Sequence, residues 1–317
     1  MSRIVVALGG NALQADPKDN SAESQLKACY KTAKSIVDLF EEGNEIVVTH
    51  GNGPQIGQII ATYEIAALAD RSKGVMPFQE CGAMSQGYIG YHLQQALKKE
   101  LKRRGMSNQV ATVITQVIVD KDDEAFKNPT KPIGSFFTQK QAEMMMSKMN
   151  YLMKEDAGRG WRRVVPSPLP KTIVEEEVIK TLVSAGHIVI TVGGGGIPVI
   201  EKDDTSLEGV AAVIDKDYAS EKVAEIIDAD ILLILTAVEK VAINFNKKNQ
   251  KNISAMSVQD ACRYMKEGQF APGSMLPKVK AAVMFAESKR GKRAIITSLE
   301  KLKEALCGNT GTVISDI

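Results

Sequence analysis

Metal-binding and disulfide-forming residues are scarce in this chain of 317 residues, which has four cysteines and three histidines. Cys29, Cys81, Cys262 and Cys307 lie far apart, in none of the spacings that zinc ligands adopt, and read as reduced structural thiols. No apolar run reaches the length needed to cross a bilayer. The N-terminus MSRIVVALGGN enters a strand-like run without the basic, apolar and small-residue regions of a secretory signal. A soluble, cytoplasmic protein is the expectation. Forty basic residues stand against 38 acidic ones, a formal charge of +2 with no long basic block, so neither a nucleic-acid nor a membrane partner is expected. Two common nucleotide signatures are missing as well: neither GxxxxGK[ST] nor GxGxxG occurs. There are no repeats and no low-complexity tail.

Glycine, by contrast, is concentrated where it matters. VGGGGIPV at 192–199 follows the β-branched run HIVIT, and two similar runs come earlier, VVALGGN at 5–11 and VVTHGNGP at 47–54. Four consecutive glycines cannot pack a core or keep a helix, so the backbone itself must be needed there, for close approach by a ligand. Exposed N–H groups at a strand-to-loop turn cradle anionic oxygens. In an open α/β sheet, loops after the carboxyl ends of the strands line the ligand crevice, and three such loops are expected to share one site.

The rest of the chain alternates strand and helix. RIVVAL at 3–8 is apolar on both faces, as a parallel sheet covered by helices requires. Helices are expected at about 22–42, 54–69 and 81–103, with strands at 45–50 and 110–119 between and after them. Gly82, Gly87 and Gly90 in the third helix suit a close helix contact, including one between subunits. Residues 120–165 break the alternation with Asn128-Pro129 and Lys131-Pro132, a Met-rich helix and a hairpin around Gly158 and Gly160, and read as a small protruding insertion. Lys131 is expected in a loop there, clamped by Pro132. Helices at 172–186, 217–228, 275–291 and near 257, with strands at 187–191, 231–236, 293–297 and 311–315, complete the pattern. Ser257 is the expected cap of its helix. The weakest boundary falls near 186.

Lys216 and Lys278 each stand in the first turn of a helix, where the dipole disfavours a cation; Asp217 suits that position. Such lysines make sense if an anion lies between them and the helix end, although either could extend its stem to solvent. Lys131, on a restrained loop of the insertion, suits a cover residue that brings a compact charge to a moving phosphoryl group.

In their order and spacing, VVALGGNAL, VTHGNGPQIG, NPTKPIG, TVGGGGIPV, IDKD and PGSMLPKV resemble carbamate kinases of the amino acid kinase family, over essentially the whole chain. The resemblance implies a three-layer αβα sandwich with an open, mostly parallel central sheet and a small protruding subdomain. An N-terminal lobe, residues 1–186 with the lid at about 120–165, would hold carbamate or carbamoyl phosphate. A C-terminal lobe, residues 187–317, would hold ATP or ADP with Mg²⁺ bound mainly through its phosphates. It further implies a homodimer, reversible phosphoryl transfer between ATP and carbamate, and a place in fermentative arginine breakdown, the arginine deiminase route. Carried onto this chain, Gly9, Gly10, Asn11, Gly51, Asn52 and Gly53 would bind the substrate. Gly194, Gly195, Lys216, Asp217, Lys278 and the 236–245 stretch, with Ala237 and Val238, would bind the nucleotide. Lys131, Lys216 and Lys278 would carry catalysis, with Asp217 orienting the lysines. Many members of the wider family carry a lysine in the first strand before the glycine pair; VVALGG has none, which favours the narrower likeness and gives that duty to Lys131. Alternatives are a related phosphotransferase for another small carboxylate or phosphonate, and a non-catalytic nucleotide sensor.

Overall fold

The computed structural model describes residues 1–14, 19, 21–156 and 158–316, without the side chains of Asn11, Leu68, Arg71 and Ser135. Its main feature is an eight-stranded sheet. In chain order the strands are β1 (Arg3–Leu8), β2 (Glu45–His50), β3 (Val110–Thr112), β4 (Ile188–Ile190), β5 (Ile231–Thr236), β6 (Ala255–Ser257), β7 (Arg293–Ser298) and β8 (Thr312–Ser315). Their spatial order is β6-β8-β7-β5-β1-β2-β4-β3. All neighbours are parallel except β7 and β8.

Period-two alternation divides the apolar residues of each central strand between two faces. Val5, Ala7, Val47, Val189, Leu232 and Ile234 belong to one core; Ile4, Val6, Leu8, Ile46, Val48, Ile190 and Leu233 belong to the other. The second core is closed by helices Ala22–Glu41 and Phe78–Arg103, through residues such as Ile36 and Leu93. Helices Glu176–Ser184, Lys216–Ile226 and Met275–Ser288 close the first, through Ile179, Val223 and Phe285. This is the expected αβα sandwich. β4 lies beyond residue 186 yet sits between β2 and β3, so both halves of the chain share one sheet.

Several elements differ from expectation. The run 110–119 is two strands: β3 ends at Thr112, and Gln116–Val119 joins a separate four-stranded sheet with Ile197–Glu201, Leu207–Gly209 and Pro170–Ile173. The break is held by a buried amide, for Gln86 accepts from the Thr115 N–H at 2.8 Å and donates to the Thr115 carbonyl at 3.1 Å. The helix expected from 172 starts at Glu176, because Pro170–Ile173 pairs as a strand. Gly90 makes the expected close contact within the chain, where a Cβ would collide with the Thr112 side chain, whereas Gly82 and Gly87 face open space.

The insertion is a three-stranded antiparallel sheet, Lys131–Phe137, Trp161–Val165 and Met153–Glu155, with the helix Gln139–Met149. The expected hairpin is there, but Lys131 opens a strand instead of lying in a loop, paired with Val165. The insertion rests on helix Gly53–Ala69, where a Cβ on Gly57 would come within 3.1 Å of the Gly134 Cα. The Tyr151 hydroxyl donates to Glu64 of the same helix at 2.6 Å.

One buried group works against this packing. Glu221, 2% exposed, leaves Oε2 without a partner among the described residues, and burial pushes its carboxyl up to about 7, opposed by Lys222 and helped by Glu225. The folded state therefore binds more protons than the unfolded one between the ordinary carboxylate range and about pH 7, so this group's contribution to stability falls as pH rises through that window. Glu221→Gln is expected to raise the melting temperature at pH 8 by clearly more than at pH 4.5. An equal shift at both values would show that the carboxyl ionises without cost.

Candidate active site

Each of the three glycine runs lies at the carboxyl end of a parallel strand: Gly9 and Gly10 after β1, residues 51–53 after β2, and 193–196 after β4. They open onto adjoining cavities. The first, about 350 Å³, is bordered by Gly51, Asn52, Gly53 and Gly194, and Lys131, Lys216 and Lys278 also reach it. The second, about 260 Å³, is bordered by Gly9, Gly10 and Ala237, and again by Lys216 and Lys278. A third, about 460 Å³, has apolar walls at Val238, Phe245, Phe270 and Met275, and shares Thr236 with the second and Ser274 with the first.

The chemistry gathers at the N-terminus of helix Lys216–Ile226. Asp215 caps it, its Oδ1 accepting from the Asp217 N–H at 3.0 Å, and Ser220 ties the first turn to β2 through Thr49 at 2.6 Å. Asp217 is 3% exposed and receives two ammonium groups, Lys216 on Oδ1 and Lys278 on Oδ2, both at 2.7 Å. Burial alone would raise this carboxyl, but the attraction and hydrogen bonds of the two lysines outweigh it and hold it below the usual carboxylate range. Burial pushes Lys216 down while Asp217 pulls it back up. A carboxylate accepting from two ammoniums stays ionised, and an anion arriving beside Lys216 would favour its charged form further. The dipole disadvantage of Lys216 is thus met by its tether to Asp217. Lys131 comes from the insertion and pairs with Asp215 Oδ2 at 2.6 Å. Three cations therefore face two carboxylates beside a helix N-terminus, which leaves an excess of positive charge suited to an anion.

The glycines have local reasons as well. A Cβ on Gly51 would come within 3.3 Å of the Lys216 stem, and one on Gly9 within 2.7 Å of the Leu235 carbonyl oxygen. In the tetraglycine turn, side chains at 193, 194, 195 and 196 would strike His50, the Asn52 amide, the Ile214 carbonyl and Val117, and the last three residues have φ of +68°, +98° and +86°. The bare backbone expected for a ligand is required first by the chain's own packing. Gly194 also borders a cavity, whereas Gly195 is packed against Ile214. His50, beneath this turn, is pushed down to about 4 by burial, with Lys216 adding to the effect and the Gly51 carbonyl opposing it, so the ring is neutral at pH 7. Asn52 donates to Ser85 at 2.8 Å. The backbone of Asn11 lies in the turn Gly10–Ala12, and its side chain lies outside the described residues.

The family model of the amino acid kinase family matches residues 2–298 of this sequence. The chain belongs to the amino acid kinase family. It is 58% identical over 312 residues to the carbamate kinase of Clostridium perfringens (strain 13 / Type A), covering 98% of this chain and 99% of that protein. It is 56% identical over 312 residues to the carbamate kinase-like protein YqeA of Escherichia coli (strain K12), covering 98% of each. A solved carbamate kinase from Giardia lamblia bound to AMP-PNP superposes with a TM-score of 0.91 at 41% identity, over 99% of this chain and 98% of that one. Membership of this family makes the protein an enzyme, a kinase.

Lys131 borders the same cavity as Lys216 and Lys278, with its ammonium on Asp215. Sequence reading passed over Asp215, although it stands inside IDKD, and Arg162, which borders the first cavity while donating to the Gly134 carbonyl at 3.1 Å. It also passed over Gln269, Phe270 and Met275, which wall the third cavity from the segment just before PGSMLPKV and within it.

Gly194→Ala should lower the melting temperature by roughly 4 °C or more, because it combines a left-handed backbone with a collision at Asn52. Thermal unfolding by circular dichroism checks this. An unchanged transition would show that the loop can move aside without cost.

Proposed function

We propose that this protein is a carbamate kinase that transfers a phosphoryl group reversibly between ATP and carbamate. The observation that carries the reading is the gathering of three lysines from separate elements, paired with two carboxylates, at the border of one cavity that glycine turns also line. In the ATP-forming direction, the bond between phosphorus and the carbamate oxygen breaks while a terminal oxygen of ADP bonds to phosphorus. Carbamate leaves as an anion, so no base has to remove a proton. What the site must supply is positioning and positive charge around the transferred group. In this reading Gly9, Gly10, Asn11, Gly51, Asn52 and Gly53 hold the substrate. Gly194, Ala237 and Val238 contact the nucleotide, whose base fits the apolar third cavity; Gly195, packed against Ile214 with its N–H on the Val192 carbonyl, does not. Lys131, Lys216 and Lys278 offset the charge of the transferred phosphoryl. Residues 1–186 form the substrate lobe, with the insertion as its cover, and residues 187–317 form the nucleotide lobe.

Among the described residues, no group of three or more histidine, cysteine or carboxylate side chains could hold a metal ion. Asp215 and Asp217 are already engaged with lysines. That suits Mg²⁺ delivered on the phosphates of ATP or ADP, where it would neutralise phosphate charge. We place the enzyme in the cytoplasm, working towards ATP at the end of fermentative arginine breakdown. Among the described residues, no helix is long and apolar enough to cross a membrane. A homodimer is supported by a stripe on helix Phe78–Arg103 where Met84, Gly87 and Tyr91 are all exposed at helical spacing.

Purified enzyme given carbamoyl phosphate, ADP and Mg²⁺ is expected to form ATP in a coupled assay, and Lys216→Ala to lower that rate by about 100-fold or more with the fold intact. Turnover of other small acyl phosphates but not carbamoyl phosphate would reassign the acceptor. Nucleotide binding without any turnover would favour a sensor.

A further inference from the structure

Asp217 explains how two of the three lysines are aimed, but the third has its own carboxylate. Lys131 Nζ lies 2.6 Å from Asp215 Oδ2. The other oxygen of Asp215 is committed to the helix, accepting the Asp217 N–H at 3.0 Å. The carboxylate is thus fixed in direction by the cap and presents one free edge to the insertion. An ammonium has three donors, so a lysine held by one of them keeps two for a substrate oxygen.

We propose that Asp215 is the positioning residue of Lys131, acting through that lysine on the transferred phosphoryl group. It does for the lysine of the insertion what Asp217 does for Lys216 and Lys278. The insertion is seated at its base by the Gly57–Gly134 approach and the Tyr151–Glu64 hydrogen bond, and the Asp215 contact fixes its working end. A long flexible side chain reaching across a cleft otherwise spreads its charge over many rotamers. Tethering it removes that disorder before substrate arrives. The kinetic part of this inference rests on the phosphoryl-transfer reading above, whereas the tether itself does not.

Asp215→Asn separates the two duties of the residue. Its amide oxygen still caps the helix, because asparagine and aspartate are comparable caps, but the charge that holds Lys131 is gone. In the complete enzyme, kcat is expected to fall roughly tenfold to hundredfold, with KM for ADP within about twofold and the melting temperature nearly unchanged. In a Lys131→Ala background the same substitution should change kcat by less than about twofold, since the group it positions has been removed. Amide hydrogen exchange in unliganded Asp215→Asn should be faster over residues 131–137 than in the wild type. A kcat at or above the wild-type value, an equal further loss in the Lys131→Ala background, or a large drop in melting temperature accounting for the lost rate would overturn the proposal. Should the wild type itself fail to turn over carbamoyl phosphate, the functional reading fails; the exchange measurement still decides the tether, and unchanged exchange over 131–137 would refute it.

Discussion

Two carboxylates two residues apart, Asp215 and Asp217, hold three lysine ammoniums from three separate elements at one helix N-terminus, and the rest of the site depends on this arrangement. Three like charges in a partly dehydrated cleft repel strongly unless something of opposite sign stands between them. With both carboxylates in place, an excess of positive charge remains, fixed in position before any ligand enters. Such preorganised charge is worth most when water is kept out, which gives the insertion a physical reason to lie over the cleft.

The sandwich serves this cluster. Helix Lys216–Ile226 is bound to β2 through Ser220 and Thr49, so its first turn has a set position relative to the glycine turn that follows β2. Gly51 is bare where the Lys216 stem passes. Helix Gly53–Ala69 begins at that turn and carries Gly57 and Glu64, which seat the insertion. The glycine turn after β2, the lysine cluster and the insertion are therefore joined through two helices, and a shift of one bears directly on the others.

Much of this was legible in the chain because the central strands are covered on both faces and read as unbroken apolar runs. β1, β2, β5 and β7 lie within a residue of where those runs predict them. The four-stranded side sheet was not legible. Its strands are short, one is the second half of a run that continues from β3 without a turn residue, and the break depends on a distant amide, Gln86. The lysines stood out because their positions contradict the helix dipole, a local conflict that usually marks function. Asp215 did not, since an aspartate before a helix is an ordinary cap and its second partner, Lys131, lies 84 residues away in the chain. The tetraglycine stretch was expected to be bare for close approach by a ligand, but what closes on it at all four positions is the protein itself, His50, Asn52, Ile214 and Val117.

The most direct test is a crystal structure with ADP, Mg²⁺ and a planar fluoride mimic of the transferred phosphoryl group. The mimic is expected between the Nζ atoms of Lys131, Lys216 and Lys278, with the backbone of Gly9, Gly10 and residues 51–53 on its opposite side and Asp217 still bridging Lys216 and Lys278. A mimic bound away from these lysines, or one that leaves Lys216 and Lys278 turned to solvent, would contradict the central role given to the cluster.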